Sequence, residues 1–217
     1  MLEEEKKGRS RKKEEEEPFD LKKEIISWIQ ILVAAAAIAF VLNTFIIANS
    51  RVPSASMENT IMTGSRVIGS RLSYHFHEPE RGDVVIFVFG YDCKTCGTTY
   101  QETPEGVCPV CGRADKRNST IYYVKRIIGM PGDTIDIKDG HVYLNGSDTP
   151  LEEPYLHEEM ETPKELHYEV PEGQYFMMGD NRNYSADARF WRFSYISKDK
   201  IIAKVLFKYF PGFGKIE

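Results

Sequence analysis

Residues 121–146 read IYYVKRIIGMPGDTIDIKDGHVYLNG, and this stretch decides the fold class. Residues 121–128 are dense in β-branched and aromatic side chains, as expected of a buried strand. Residues 129–133 form a turn, and 134–138 alternate apolar and polar side chains at a period of two. Asp139-Gly140 and Asn145-Gly146 flank 141–144 as hairpin-type punctuation. Working outward, residues 83–89 are a near-continuous apolar run upstream, and 175–178 and 201–207 supply further strands downstream. Beyond an apolar segment near the N-terminus, no run keeps a helical period over about twelve residues. The spacing predicts a mostly β protein of antiparallel sheets, a sandwich or a barrel.

The chain has 217 residues, enough for one ordinary domain and an appendage. With 28 Lys and Arg against 33 Asp and Glu its net charge is −5, which gives no excess positive charge for binding nucleic acid. A 41% apolar content excludes disorder throughout. Charge is unevenly placed. Residues 1–24 carry eight Lys/Arg and nine Asp/Glu with few large apolar side chains, so they read as a solvated tail. Residues 25–50 then contain no ionisable side chain. Residues 25–48 span roughly 36 Å as a helix, more than the ~30 Å hydrocarbon core of a bilayer. Trp28 suits an interfacial anchor. Ala48-Asn49-Ser50 has the small-x-small form of a cleavage site, but the apolar stretch is longer than the ~7–15 residues of a signal-peptide core, which favours a retained anchor. Lys and Arg crowd its N-terminal side, where Arg11, Lys12, Lys13, Lys22 and Lys23 lie, against Arg51 alone beyond it. The positive-inside rule then puts the tail in the cytoplasm and residues 49–217 outside.

Two polar segments exceed what a plain β domain needs. Pro53-Ser54-Ala55-Ser56-Met57-Glu58-Asn59-Thr60 follows the anchor, and in 123–128 Lys125 interrupts an apolar strand. Strand alternation puts Lys125 on one face with Tyr123 and Ile127. Burial there would lower its pKa from about 10.4, by as much as three pH units or more, and yield a neutral amine. Such an amine can accept the proton of a serine hydroxyl, so a Ser–Lys pair needs no histidine. The bland alternative is a lysine stem snorkelling from a half-exposed strand.

Four stretches, in order, resemble bacterial type I signal peptidases: Pro53–Met57, Arg81–Val85, Tyr123–Asp133 and Gly179–Arg189. The resemblance implies a signal-peptidase β fold, related to that of LexA-like regulators, behind one transmembrane helix, as in Gram-positive-like single-anchor forms. It implies Ser56 as nucleophile and Lys125 as general base, with Ser54 and the Ser56 N–H as the oxyanion hole. It further implies that Ser185 hydrogen-bonds Lys125 and that Asp187 and Arg189 form a supporting ion pair. The implied activity is removal of signal peptides from exported preproteins near the Sec translocon at the lipid bilayer, after small residues such as Ala-x-Ala, with no catalytic cofactor. Ala55, Asn59, Ala188 and Arg192 depart from the family's usual Gly, Pro, Ser and Gly.

All four cysteines lie close together, as Cys93-Lys94-Thr95-Cys96-Gly97 and Cys108-Pro109-Val110-Cys111-Gly112. Paired C-x-x-C-G knuckles carry the signature of a tetrahedral zinc site, resembling a zinc ribbon, inserted over 90–119. Iron or two disulfides are the alternatives, the latter favoured by an oxidising exterior. The five histidines form no metal-binding pattern, the acidic run 152–172 reads as a solvated loop or edge, and Phe207, Tyr209, Phe210 and Phe213 as C-terminal packing or a lipid contact. Two other functional classes stand beside the peptidase: a membrane-tethered zinc-ribbon binding module with an inert Ser/Lys core, and a self-cleaving LexA-like regulator.

Overall fold

The computed structural model describes residues 20–103, 106–114, 118–162 and 164–216. Most of the charged tail expected over 1–24, and parts of the insertion expected over 90–119, lie outside these. The chain divides between Phe40 and Val41 into two units. The first is helix α1 (Leu21–Val41), started by Asp20, whose Oδ1 accepts the Lys22 N–H at 3.0 Å. The helix is apolar all round and none of its residues is buried. Among the described residues it is the one helix, extended by a π-helical segment over Leu42–Ile46, long and apolar enough to cross a membrane.

The helix begins earlier, and the following strand sooner, than the composition suggests. Strand β1 (Ile47–Arg51) already includes Ile47 and Ala48, paired with Ser70 and Gly69 of β2 (Arg66–Ser70). Apolarity alone does not separate the end of an anchor from a buried strand, because both exclude water.

Further along come α2 (Ser73–Phe76), β3 (Val84–Asp92), β4 (Thr99–Gln101), β5 (Ser119–Gly129) and β6 (Thr134–Lys138). Then follow β7 (His141–Leu144), β8 (Leu166–Glu169), β9 (Gln174–Met178), β10 (Tyr195–Ser197), β11 (Ile201–Phe210) and β12 (Gly214–Lys215). The protein is thus mostly β, in two antiparallel sheets. The larger runs β1-β2-β11-β3-β5-β9-β10, with β12 on β11 and β4 on β3; the smaller runs β7-β6-β8. Asp139 and Gly140, at φ of 50° and 77°, close the two-residue hairpin between β6 and β7.

Alternation along β3 and β5 feeds two cores. Val85, Phe87 and Ile127 pack with Met177, while Val84 and Ile86, with Val124 against them, pack with Met57 and Val67. The 53–60 segment is thereby pinned to the sheet by Met57 and Ile61, both fully buried. A third core joins the small sheet to β9 through Ile135, Ile137 and Phe176. The C-terminal aromatics are not core: Phe210 and Phe213 are exposed, although the Phe207 and Phe213 rings lie 5.1 Å apart.

Candidate active site

Ser54 is in extended conformation and leads into a 3-10 turn, Ala55–Met57, which presents Ser56. The turn is held by a residue far along the chain. Asn181 donates its backbone N–H to the Ser56 carbonyl at 3.1 Å and its side-chain amide to the Ala55 carbonyl at 3.1 Å. Gly179 has to be glycine for this approach, because a Cβ there would stand 2.3 Å from the Ser56 carbonyl oxygen and from Ser185 Oγ. Asn59 takes φ of +84°, which proline cannot adopt, and its amide donates to the Tyr155 carbonyl at 2.6 Å. That geometry accounts locally for a departure from the expected proline.

Ser54, Ser56 and Lys125 line one cavity of about 340 Å³, walled by residues 50–54 on one side and 121–125 of β5 on the other. Ser54 Oγ and Ser56 Oγ are 3.3 Å apart, and either can donate. Lys125, opposite Val85 of β3, is 3% exposed. Burial is the main cause that lowers its pKa from 10.5 to about 8. The drop is smaller than three pH units, because Asp187 and Asp180 favour the charged amine while Arg189 opposes them.

Two expected contacts are not made. Among the described residues Ser56 Oγ bonds only Ser54, and the Lys125 amine, 5.9 Å from the centre of the Tyr123 ring, makes no hydrogen bond, so amine and nucleophile share the cavity without a hydrogen bond between them. Catalytic hydrogen bonds commonly tighten only when substrate closes the site. Ser185 Oγ is buried without a partner and does not reach the Lys125 amine, because the hydroxyl is turned against Gly179. Asp187 and Arg189 do pair: Arg189 Nε donates to Oδ1 at 2.8 Å and Nη2 to Oδ2 at 2.9 Å. The same Oδ2 accepts the Gly179 N–H at 3.0 Å, which ties the pair to the glycine behind Ser56.

The structure adds residues to which the sequence reading gave no role. Arg126 grips Asp180 with Nε and Nη2, at 2.9 and 2.7 Å, and both side chains are almost wholly buried. Asp180 also accepts the Thr60 hydroxyl, which secures the far end of the serine segment. Arg182, equally buried, donates Nη1 to Glu153 at 2.9 Å and Nε to the Gly179 carbonyl at 3.1 Å. The acidic run is therefore not simply a solvated loop: Glu153 and Met160 leave solvent and strap the corner. A second charge beside Lys125 in an apolar strand was the available signal for Arg126, whereas nothing local marked Glu153.

The four cysteine Sγ atoms all lie within 4.8 Å of one another, with Cys93 and Cys111 at 3.7 Å and Cys96 and Cys108 at 3.6 Å. The two knuckles repeat one geometry. Gly97 donates to the Cys93 carbonyl and Gly112 to the Cys108 carbonyl, each at 2.8 Å, with φ of 73° and 68°. His75 and His77 lie in and just after α2, and His167 bonds Asp136 at 2.6 Å; none joins a cluster of metal-ligating side chains among the described residues.

Comparison with known proteins follows this geometry. A probable signal peptidase I of Synechocystis sp. is 34% identical over 85% of this chain and 82% of its own length. Signal peptidase I of Bacillus licheniformis is 29% identical over 91% and 95%. A crystal structure of a signal peptidase I from Enterococcus faecalis matches with a TM-score of 0.39 at 24% identity, over 59% of this chain and 97% of that one. The family model described as signal peptidase, peptidase S26, matches residues 25–210, and the chain belongs to that family.

Proposed function

We propose that this signal peptidase cuts preproteins with Ser56 as nucleophile and Lys125 as general base. The observation that carries the reading is the single cavity holding both, with the lysine buried and its amine neutral in a substantial fraction of molecules near pH 8. The Lys125 amine accepts the Ser56 proton as Oγ bonds to the scissile carbonyl carbon. The oxyanion receives hydrogen bonds from the Ser54 hydroxyl and the Ser56 N–H, donors of a kind worth about 3–4 kcal/mol each. Collapse of the tetrahedral intermediate breaks the peptide bond, and the lysine ammonium hands its proton to the departing amine. Lys125 then takes a proton from the water that hydrolyses the acyl-enzyme. The free Ser185 hydroxyl is available to receive the ammonium as it forms. Small side chains before the cut, as the family likeness implies, would fit shallow pockets that larger ones overpack.

In this reading residues 1–24 are a cytoplasmic tail, residues 25–48 hold the single membrane anchor, and residues 49–217 work outside, near the Sec translocon. Anchoring raises the effective concentration of a membrane-held substrate. The cysteines, within the 90–119 insertion, hold a structural zinc ion. The support is their spacing: a tetrahedral ZnS4 centre with bonds of about 2.3 Å sets sulfurs about 3.8 Å apart, whereas a disulfide needs about 2.05 Å. Four thiolates leave no open position for catalysis, so the metal would stabilise the ribbon rather than touch substrate.

The test is cleavage of a model preprotein in detergent, with N-terminal sequencing of the product. Ser56→Ala and Lys125→Ala should each lower turnover by about a thousandfold or more. Turnover unchanged in either variant would remove that residue from the mechanism.

A further inference from the structure

Among the described residues, the outer half of β5 is paired on one side only. From Ser119 to Lys125 it bonds β3, in the register Val88↔Tyr122, Gly90↔Ile121 and Asp92↔Ser119, while β9 begins to pair only at Arg126. The open edge is the wall of the Ser56 cavity. β3 of this extension runs directly into the first cysteine knuckle, and Asn118 at the head of β5 is bonded to it. Cys93 follows Asp92, and Asn118, just before Ser119, accepts the Lys94 N–H at 3.1 Å and donates to the Tyr100 hydroxyl at 2.9 Å. Between the knuckles β4 returns along β3, and Gln101 braces it on the Phe193 backbone, with bonds of 2.7 and 3.0 Å.

Tyr123, stacked on Phe89 at 4.2 Å, and Val124 are held by the main cores, which leaves residues 119–122 to the extension. Its buried cluster is Cys93, Tyr100 and Cys108, so two of its three core residues are candidate metal ligands. A ribbon with so small a core is marginal in water, and metal–thiolate bonds can supply the missing folding energy. We infer that the metal-loaded Cys93–Cys111 centre is a positioning element for substrate, holding residues 119–122 as a preformed edge onto which an extended preprotein segment adds as a strand. The inference rests on reading the cysteines as a metal centre and the cavity as the active site. Strand addition draws its affinity from main-chain hydrogen bonds, so an edge that frays loses binding before it loses chemistry. The inner residues of β5, from Arg126, are held by β9 and do not depend on the ribbon.

The test uses the full chain in detergent, with zinc counted per chain, before and after chelation. Amide hydrogen exchange is followed beside preprotein kinetics. Metal removal should raise KM by about tenfold, the loss of one or two backbone hydrogen bonds, and leave kcat within about twofold. Exchange at 119–122 should quicken while 126–128 stay protected, and added zinc should restore both KM and exchange. Asn118→Ala, which leaves the thiolates intact, should raise KM in the same direction at full zinc content, and so guards against a Cys111→Ser variant that fails to fold. Metal-free enzyme with unchanged KM and unchanged exchange overturns the inference, as does faster exchange spread evenly through the small sheet. A chain that never holds metal, its thiols titrating as disulfides, overturns the metal reading with it but leaves the catalytic one standing. Turnover by Ser56→Ala would overturn the catalytic reading instead.

Discussion

Lys125 gives up stability to keep a neutral amine. In the folded protein its pKa is about 8, against 10.5 for a lysine in water. Below pH 8 the amine is protonated whether the chain is folded or not, and the fold carries the whole cost of burying the charge. Between pH 8 and 10.5 the folded chain binds fewer protons than the unfolded one, so stability rises with pH; above 10.5 the penalty is gone. Lys125→Met, apolar and of similar length, should therefore stabilise the detergent-solubilised protein by about 3 kcal/mol at neutral pH. That gain should fade toward pH 10.5, as thermal unfolding at several pH values would record. The same ionisation should make kcat/KM of the wild type rise through pH 8 and level off above it. A flat profile across roughly pH 6–10 would mean that another group is the base.

At the scale of elements, the segment between β7 and β8 separates what the sequence discloses from what it hides. The apolar runs behind β3, β5, β9 and β11 were legible as such, β6 showed its alternation, and the four-residue β7 was marked by the turn residues that bracket it. The short edge strands β4, β8, β10 and β12, of two to four residues, were not legible, because they are too short to show a period. At the site, Ser54, Ser56 and Lys125 were legible from their motifs, whereas Glu153 reaches Arg182 only through tertiary folding. That pair makes a prediction for the strap. Glu153→Ala leaves the Arg182 guanidinium buried without its counter-charge and should cost about 3–5 kcal/mol. Replacing both by leucine should recover most of the loss, since burying two ions is itself expensive. Thermal unfolding of the two variants separates these cases. A double variant no more stable than Glu153→Ala would mean that the strap depends on the arginine's bond to the Gly179 carbonyl rather than on the pair.

Across the whole molecule, the residues proposed to do the chemistry and to hold metal all lie beyond Val41, and the first strand of the sheet starts at Ile47. Every hydrogen bond described around Ser56 is made by residues of that unit. The apolar helix contributes location, and location matters only to a substrate that is itself held in a membrane. A chain beginning at Ile47 should accordingly cleave a short soluble peptide bearing Ala-x-Ala with kcat/KM within about threefold of the full-length protein. On a preprotein inserted in vesicles the same truncated chain should be slower by about a hundredfold or more, because the reaction reverts from two partners in one surface to one in the surface and one in solution. The two substrates run side by side decide the matter. Equal loss on both would show that the helix is needed to keep β1 in its place on β2, and with it the wall of residues 50–54 that faces Lys125.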